Sequence, residues 1–584
     1  MGDLTVAKML RSKPRIENVL PLTALQEGLV FHAAYDDLAT DVYNVQLGID
    51  LEGPLDAGTL REAAEALLSR HGNLRISVRR RPQGDSVQVV QSHVVLPWIE
   101  AVADSEAEAD EIARVDRERR FTLSTAPLLR FTLVRFGEDR HRFLFTTHHL
   151  LLDGWSMPLV MQELFTLYGN RGDTRSLPPT VPYENYFRWL TAQDTPAAQN
   201  AWRTALAGLD EPTRLTPHAD SHASVTPHHR VVRLSLELTQ SLTGQARRHG
   251  LTLSTAVQVA WGLLLARLTG REDIVFGATV SGRSPEVPGI ESMIGLFINT
   301  LPVRIRLDPS EPLLDLAARL QQEQAELSAH QHLSMADIQR LTDIRGELFD
   351  TLVVFENYPL NPDTLSGAHG LRVTGLRTHN DVHYPLALIA LPGDQLTLDF
   401  TYRPDLFTKS DVDDLVEWFT RVLTTVTEAT PQLLTHDVHL LTPEEQRQAV
   451  EEFNDTAREV PGAAVHELFE EQARRSPEAT AVVFEDEEVS YAQLNVRADD
   501  LARTLRGLGV GPERLVALAV PRSVEMVASM LAVLKTGAAY LPIDPDYPGE
   551  RIAYMLSDAA PALVVVTEAT QHLAEATGTP RLVV

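Results

Sequence analysis

The stretch HHLLLDGWS, His148 to Ser156, lies between two apolar segments, RFLFTT and MPLVMQELFTLY. The first segment predicts a β-strand and the second a helix, for which Ser156 is a candidate N-cap residue and Pro158 suits the first turn. Two histidines, an aspartate and a glycine therefore share one strand-to-helix turn. Because adjacent residues of a strand face opposite ways, we expect one of His148 and His149 to face a cavity and the other to pack.

The turn carries residue types that suit acyl transfer. A histidine has an unperturbed pKa of about 6.5, so it can accept a proton from an attacking amine or hydroxyl near neutral pH. Asp153 followed by Gly154 is typical of a tight turn that brings the backbone close to a ligand. No metal is expected, because adjacent histidines on a strand cannot easily chelate one ion. The alternative is a purely structural turn. The second histidine pair, His228 and His229, has no Asp-Gly after it and is interpreted as surface loop.

Composition excludes several classes of protein. The 584 residues leave room for about four domain-sized units, and the net charge of -28 makes nucleic acid a poor partner. The absence of cysteine excludes a cysteine nucleophile, a disulfide framework and thiolate zinc sites. No long uninterrupted apolar run or secretory signal is evident, so we expect no membrane association and a cytoplasmic location. Any thioester chemistry must use thiols that a partner supplies.

Hydrophobic patterning predicts several regions. Residues 18–180 and 181–445 mix strands with amphipathic helices such as LDAGTLREAAEALLSRH, and LTLSTAVQVAWGLLLARLTG predicts a buried helix that ends at its final glycine. Residues 463–584 alternate strand and helix regularly, beginning with the strand AVVF, which predicts a parallel α/β subdomain. Residues 446–462 are interpreted as a linker and residues 1–17 as a leader.

The turn resembles the core motif of condensation domains of non-ribosomal peptide synthetases, members of the chloramphenicol-acetyltransferase-like superfamily. Further segments are similar to motifs of that family in the same order: PLTALQEGLVFH, SRHGNLR, PYENYFRWL, SGRSPEVPGIESMIGLFINTLPVR and LFDTLVVFENYP. VSYAQLN and LKTGAAYLPIDPDYPGERIAYMLSDA resemble the first two core motifs of an adenylation domain, but its phosphate loop does not follow. Residues 463–584 are therefore expected to be a truncated adenylation domain that cannot adenylate a substrate.

The resemblance implies a mixed α/β (α+β) fold. Residues 18–180 and 181–445 would be the N lobe and C lobe of a V-shaped pseudo-dimer, with the active site in a tunnel between them, and residues 463–584 a partial parallel α/β subdomain. The implied reaction joins a donor acyl or peptidyl thioester to the amine of an acceptor aminoacyl thioester. Donor and acceptor carrier proteins would deliver both substrates on phosphopantetheine arms, so the chain itself needs no bound cofactor.

The resemblance also implies roles for individual residues. His149 would take a proton from the amine or hold the amine by a hydrogen bond, and His148 would fix the turn. Asp153 would form an ion pair with Arg283 of the C lobe, although it could instead orient the imidazole as in a catalytic triad. Gly154 would let the backbone approach the pantetheine arm.

Trp155, Ser156 and Asn299 are the remaining candidates for contacts with substrate or pantetheine. The leader, residues 1–17, could dock an upstream synthetase subunit or could be the frayed end of a linker. The rival functions are a coenzyme A-dependent acyltransferase and a non-catalytic platform that recruits carriers. An epimerization domain is disfavoured by the adenylation sequence that follows, and a heterocyclization domain by the two histidines.

Overall fold

The computed structural model describes residues 15–35, 42–82, 84–217, 225–357, 370–460, 462–575 and 578–584. The docking hypothesis for the leader rests largely on residues 1–14, which lie outside the described residues. The chain forms two compact units, Met1–Arg447 and Gln448–Val584.

The first unit consists of strands and helices in mixed order. Its strands are β1 (Ile16–Pro21), β2 (Asn44–Glu52), β3 (Ile76–Arg80), β4 (Ser86–Gln91), β5 (Trp98–Val102), β6 (Leu129–Arg135), β7 (Arg140–His148), β8 (His228–Arg233), β9 (Asp273–Val280), β10 (Asn299–Arg306), β11 (Thr351–Phe355), β12 (Arg372–His379), β13 (Leu386–Leu391) and β14 (Thr397–Tyr402). Its helices are α1 (Ala24–Tyr35), α2 (Ala57–Arg70), α3 (Glu106–Glu118), α4 (Ser156–Gly169), α5 (Glu184–Thr191), α6 (Thr195–Ala205), α7 (Leu236–Arg248), α8 (Leu253–Thr269), α9 (Leu313–Leu327), α10 (Met335–Gln339), α11 (Lys409–Thr427) and α12 (Pro443–Arg447).

The N lobe is built on a five-stranded sheet in the order β12-β2-β7-β6-β5, with a separate three-stranded sheet, β1-β4-β3. Strand β7 is antiparallel to both of its neighbours, and this register places His148 opposite Asn44. Helix α2 buries the apolar face that its sequence pattern predicts, and Leu68 is buried in addition to that face. The sheet thus holds the His148–Ser156 turn at the end of one of its inner strands.

The C lobe is built on a six-stranded sheet in the order β10-β9-β11-β13-β14-β8. Helix α8 is buried along most of its length and ends at Gly270, which has a left-handed φ of 67°, so the predicted helix and its end are both confirmed. No single helix of the described residues is long and apolar enough to cross a membrane; only the bent pair α7 and α8, at 105°, passes on length and composition.

Strand β12 crosses from one lobe to the other. It follows a C-lobe strand in the sequence but pairs with β2 of the N-lobe sheet, from Arg372 opposite Glu52 to His379 opposite Gln46. The next strand, β13, lies again in the C-lobe sheet between β11 and β14. Residues 380–385 therefore form a crossover segment that connects the two sheets.

The interpretation of His228 and His229 as surface loop is wrong about the loop, although both residues are exposed at the surface. Both residues belong to β8, the edge strand that pairs with β14. The His229 ring lies within hydrogen-bonding distance of Asp381 and Asp399. The sequence pattern could not reveal these partners, because both aspartates lie about 150 residues or more further along the chain.

The second unit contains a parallel sheet, as predicted. Its strands are β15 (Thr480–Phe484), β16 (Glu487–Ser490), β17 (Leu515–Ala519), β18 (Ala539–Pro542), β19 (Leu563–Val566) and β20 (Arg581–Val583), and its helices are α13 (Val465–Arg475), α14 (Tyr491–Gly507), α15 (Val524–Lys535), α16 (Gly549–Ala559) and α17 (His572–Glu575). The parallel sheet has the order β18-β17-β19-β20. The segment AVVF does not join it, because β15 pairs with β16 in an antiparallel hairpin.

Candidate active site

The His148–Ser156 turn is held by hydrogen bonds at its beginning and its end. The amide of His149 donates to Tyr43 O at 2.8 Å, which prolongs the pairing of β7 with β2. At the other end, the amide of Ser156 donates to Asp153 Oδ1 at 2.8 Å. Ser156 is therefore the first residue of α4 and not its N-cap, and the aspartate carboxylate satisfies an amide of the first turn.

The backbone of the turn is also fixed at three successive carbonyl groups. Each of them accepts a hydrogen bond from a side chain. The bonds are Gln26 Nε2 to Leu150 O (2.9 Å), Asn73 Nδ2 to Leu151 O (2.7 Å) and His149 Nδ1 to Leu152 O (2.9 Å). Because Gln26 and Asn73 belong to other elements of the N lobe, whereas His149 lies in the turn itself, the turn is held both by tertiary structure and by its own side chain.

The two histidines carry their protons on opposite nitrogens. His148 is fully buried, and its Nδ1 accepts from the amide of Leu150 at 3.1 Å, so the proton of the neutral ring is on Nε2. His149 Nδ1 lies 2.9 Å from the carbonyl oxygen of Leu152, which can only accept. In His149 the proton is therefore on Nδ1, and Nε2 has a lone pair.

The environment of His149 favours the neutral imidazole. Burial lowers the pKa of His149 below its usual value, with a further lowering by His148; hydrogen bonds to the backbone and the charge of Asp153 oppose this shift. A ring that is neutral at physiological pH can accept a proton at Nε2. His149 thus has both the protonation state and the tautomer of a general base.

Asp153 affects the imidazole of His149 only through its charge. Among the described residues, the Asp153 carboxylate forms no hydrogen bond with His149. It accepts hydrogen bonds from residues of the C lobe instead. Arg283 Nη2 lies 3.1 Å from Asp153 Oδ1, and the amide of Phe297 donates to Oδ2 at 3.0 Å. The Asp153 side chain is completely buried and that of Arg283 is 5% exposed. The pair is thus a buried connection between the lobes, and the triad alternative has no geometric support.

Arg283 is fixed by several further contacts. Its Nη1 donates to the carbonyls of Ile290 and Met293, and its guanidinium lies 4.2 Å from the centre of the Phe297 ring. The Phe297 ring in turn packs edge-on against Tyr183 of the PYENYFRWL segment. Burial lowers the pKa of Arg283 and the charge of Asp153 raises it. Because a guanidinium stays charged in proteins, Asp153 offsets the cost of burying that charge.

The other predicted binding residues differ in whether their side chains are free to contact a ligand in a cavity. Gly154 and Trp155 line a cavity together with His149, and Trp155 is 37% exposed. Ser156 lines none of the cavities described below; it is buried, and its hydroxyl bonds both the amide and the carbonyl of Gly295. Asn299 borders a cavity, but its amide donates to Gln331 O and Leu333 O. Ser156 therefore holds the lobes together, and Asn299 anchors a C-lobe loop.

Three neighbouring cavities extend through the first unit. Cavity A, of about 340 Å³, is lined by His149, Gly154 and Trp155 of the N lobe and by residues 380–384. Cavity B, of about 700 Å³, shares His149 and Gly154 with cavity A. Cavity C, of about 400 Å³, shares Leu25, Ser281 and Ile298 with cavity A. His149 therefore lies where cavities A and B meet. Within the described ranges, no group of three His, Asp or Glu side chains is placed to hold a metal ion.

Comparison with known proteins decides the family. Residues 16–450 match the family model of the condensation domain. The chain belongs to the condensation-domain family. Residues 469–584 match the AMP-binding enzyme family, so the condensation domain is followed by the beginning of an adenylation domain, as the motifs predicted.

The relatives of this condensation domain are non-ribosomal peptide synthetases. A component of the linear gramicidin synthase of Brevibacillus parabrevis is 36% identical over 98% of this chain, and bacitracin synthase 3 of Bacillus licheniformis is 36% identical over 97%. The chain spans only 8% and 9% of the lengths of these two proteins.

Solved structures show the same fold. The synthetase FmoA3 has a TM-score of 0.74 at 24% identity and covers 98% of this chain and 61% of its own. The first condensation domain of the calcium-dependent antibiotic synthetase has a TM-score of 0.62 at 21% identity, over 73% of this chain and 100% of its own.

Sequence reasoning missed several residues that build the site of this condensation domain. Gln26 and Asn73 hold the turn, Gly295 bonds it through its backbone, and Gly282 allows close approach to the backbone of Phe297. Gln26 lies within the opening motif PLTALQEGLVFH and Asn73 within SRHGNLR. Gln26 is a polar residue in a largely apolar segment, which could have indicated a buried hydrogen bond. Asn73 lies in a polar segment that carries no such signal.

Proposed function

We propose that residues 16–450 form an amide bond between a carrier-bound donor acyl or peptidyl thioester and the amine of a carrier-bound aminoacyl acceptor. The amine nitrogen attacks the donor carbonyl carbon, the carbon–sulfur bond breaks, and the thiol leaves on the donor's phosphopantetheine arm. The proton lost by the amine passes to His149 Nε2 and from there to the departing sulfur. No cysteine of this chain is required, because both thiols belong to the carriers.

The tautomer of His149 is the observation that carries this proposal. Its Nδ1 proton is committed to Leu152 O, and its Nε2 lone pair is the group that a nucleophile would need. The ring also lies where cavities A and B meet, so two substrates that enter from different sides could come together beside it. Alignment of two bound reactants alone can lower the barrier by about 7–11 kcal/mol.

Carrier proteins and their phosphopantetheine arms are the partners that this reaction needs. Cavity A has apolar walls from Leu25, Leu29 and Val280, which suit the alkyl parts of such an arm. Gly154 lines both cavities A and B and presents backbone without a side chain. We infer that Gly154 and Trp155 contact the arm or the substrate, whereas Ser156 and Asn299 act through the positions of the segments that they hold.

Product formation with separately loaded carriers tests the proposal. One carrier bears the donor thioester and a second bears the aminoacyl acceptor, and mass spectrometry follows the amide product on the acceptor carrier. General-base catalysis contributes about 10²–10⁴-fold, so His149→Ala should reduce the rate within that range. Product formation at the unchanged rate in His149→Ala would contradict the assignment of His149.

Asp153→Asn is the comparison variant, because it acts on the fold. Loss of one partner of a buried ion pair costs about 3–5 kcal/mol, so this variant should lose thermal stability and activity together. His149→Ala should lose activity while its melting temperature changes little. If no amide forms in the unaltered protein with a broad panel of donors and acceptors, the catalytic proposal fails and a recruitment platform becomes the better interpretation.

A further inference from the structure

We propose that His229 is a positioning residue that fixes the wall of cavity A. It does so by connecting the crossover segment, residues 380–385, to the edge of the C-lobe sheet. The kinetic part of this inference rests on the proposed function, whereas the structural part does not.

The geometry around His229 is a bridge between two carboxylates. Its Nε2 lies 3.1 Å from Asp381 Oδ1, and its Nδ1 lies 3.0 Å from Asp399 Oδ2. Because a carboxylate only accepts hydrogen bonds, both ring nitrogens must donate, and the ring is an imidazolium. Asp399 lies on β14, which pairs with β8, so this half of the bridge is anchored within the sheet. Asp381 belongs to the crossover segment.

The crossover segment forms one side of the candidate active site. Five consecutive residues of this segment line cavity A, which also contains His149: Asn380, Asp381, Val382, His383 and Tyr384. His383 Nδ1 lies 3.0 Å from the hydroxyl of Tyr43, and the carbonyl of Tyr43 accepts the amide hydrogen of His149. A displacement of Asp381 would therefore move the wall of cavity A itself, and His383 lies only two residues further along the chain.

The charge of His229 is maintained by its surroundings. The hydrogen bonds that the ring donates to Asp381 and then to Asp399 raise the pKa of His229 to about 9, against the effect of burial. Thr401 Oγ1 also lies 3.3 Å from Nδ1. His379, at the end of β12, is close enough that the charge of His229 contributes to lowering its pKa, after burial and Arg117. Because the pKa is raised, the stabilisation by the bridge is complete below about pH 6.5; it declines as the pH rises and is lost above about 9.

Hydrogen–deuterium exchange of the full chain tests the bridge without reference to activity. His229→Gln removes the charge, whereas His229→Arg keeps a permanent charge and several donors. At pH 7.5 we expect exchange in residues 376–386 to rise about 10-fold in His229→Gln and to stay near the unaltered rate in His229→Arg. Asp381→Asn breaks the bridge from the other side and should match His229→Gln. His228→Gln is the matched control, because the His228 ring packs against Tyr402 on the neighbouring strand, and it should not change this exchange.

The amide-forming assay supplies the kinetic readout. Since His149 and the Asp153–Arg283 pair are untouched, His229→Gln should reduce kcat/KM about 5–10-fold, mainly through KM. His229→Arg should restore the unaltered value. Unchanged exchange in His229→Gln, or equal exchange in the Gln and Arg variants, would overturn the proposal. A missing kinetic effect with the expected change in exchange would overturn only the link to the proposed function.

Discussion

His149 differs from its neighbour in the sequence by the nitrogen that holds the proton. His148 accepts at Nδ1 from an amide, and His149 donates at Nδ1 to a carbonyl. His148 is the last residue of β7 and His149 is the first residue beyond it, so the two rings face different surroundings, and the backbone partners of the turn set the two tautomers. The different surroundings were predictable from sequence. The tautomers were not, because they depend on how the turn folds back on each ring.

The lowered pKa of His149 predicts the pH dependence of amide formation. The base must be neutral to accept a proton, and burial holds its pKa below the usual value of about 6.5. Protonation of the acceptor amine slows every variant alike, so the ratio of the unaltered rate to the His149→Ala rate isolates the histidine. This ratio should stay constant as the pH falls to about 6.5 and decline only at lower pH. Single-turnover rates with preloaded carriers measure both profiles. A decline of the ratio centred at or above pH 6.5 would refute the assignment.

At the scale of elements, the segment that follows β9 determines whether Arg283 can reach Asp153. Gly282 has a φ of +61°, and a Cβ atom placed on it would lie 1.8 Å from the carbonyl oxygen of Phe297. This close approach of the two backbones brings two groups to the Asp153 carboxylate. One is the side chain of Arg283, which follows β9, and the other is the amide of Phe297, which precedes β10. The Asp153–Arg283 connection between the lobes therefore requires glycine at position 282.

Gly282→Ala should consequently reduce stability and activity together. A non-glycine residue at positive φ costs about 1–2 kcal/mol, and displacement of the backbone that binds Asp153 should bring the total above about 3 kcal/mol. Gly270→Ala is the matched control, since Gly270 has a similar φ of +67° but no atom within 4 Å of its added Cβ. Denaturant unfolding and the amide-forming assay provide the measurements. Equal losses in the two variants would show that the close contact is unimportant.

Elements with a clear apolar period were predictable, and elements defined by distant partners were not. Helices α2 and α8 were predictable from their own sequences, because each buries the apolar residues that the sequence pattern predicts to be buried. The segment AVVF reads equally well as a parallel strand or as one arm of a hairpin, and its partner β16 decides. The local sequence around His229 indicates a loop. It gives no sign of the strand, because both hydrogen-bond partners of the histidine are remote in sequence. Local pattern indicates a strand but does not indicate the sheet that it joins.

At the scale of the whole first unit, segments of the C lobe contribute residues to the N-lobe core. Ile294 and Leu296, from the segment that precedes β10, and Leu371, which precedes β12, are buried among N-lobe residues. Strand β12 completes the N-lobe sheet, and Asp153 bonds Phe297 and Arg283 across the lobes. These contacts were beyond prediction from the sequence, since each joins segments more than 100 residues apart. They make the active site a property of both lobes together.

These connections predict that the two lobes unfold as one cooperative unit, although each lobe has its own core. Phe145 of the N-lobe core and Phe400 of the C-lobe core are both fully buried, and replacing either one by alanine should cost about 3–5 kcal/mol. Hydrogen exchange of core amides in mild denaturant should then accelerate in both sheets in each variant, because β12 and residues 294–297 cannot stay ordered when either lobe opens. Val95→Ala is the control, since Val95 is 75% exposed. If Phe400→Ala accelerated exchange in the C-lobe sheet alone, the lobes would be independent, and the Asp153–Arg283 pair would only orient them.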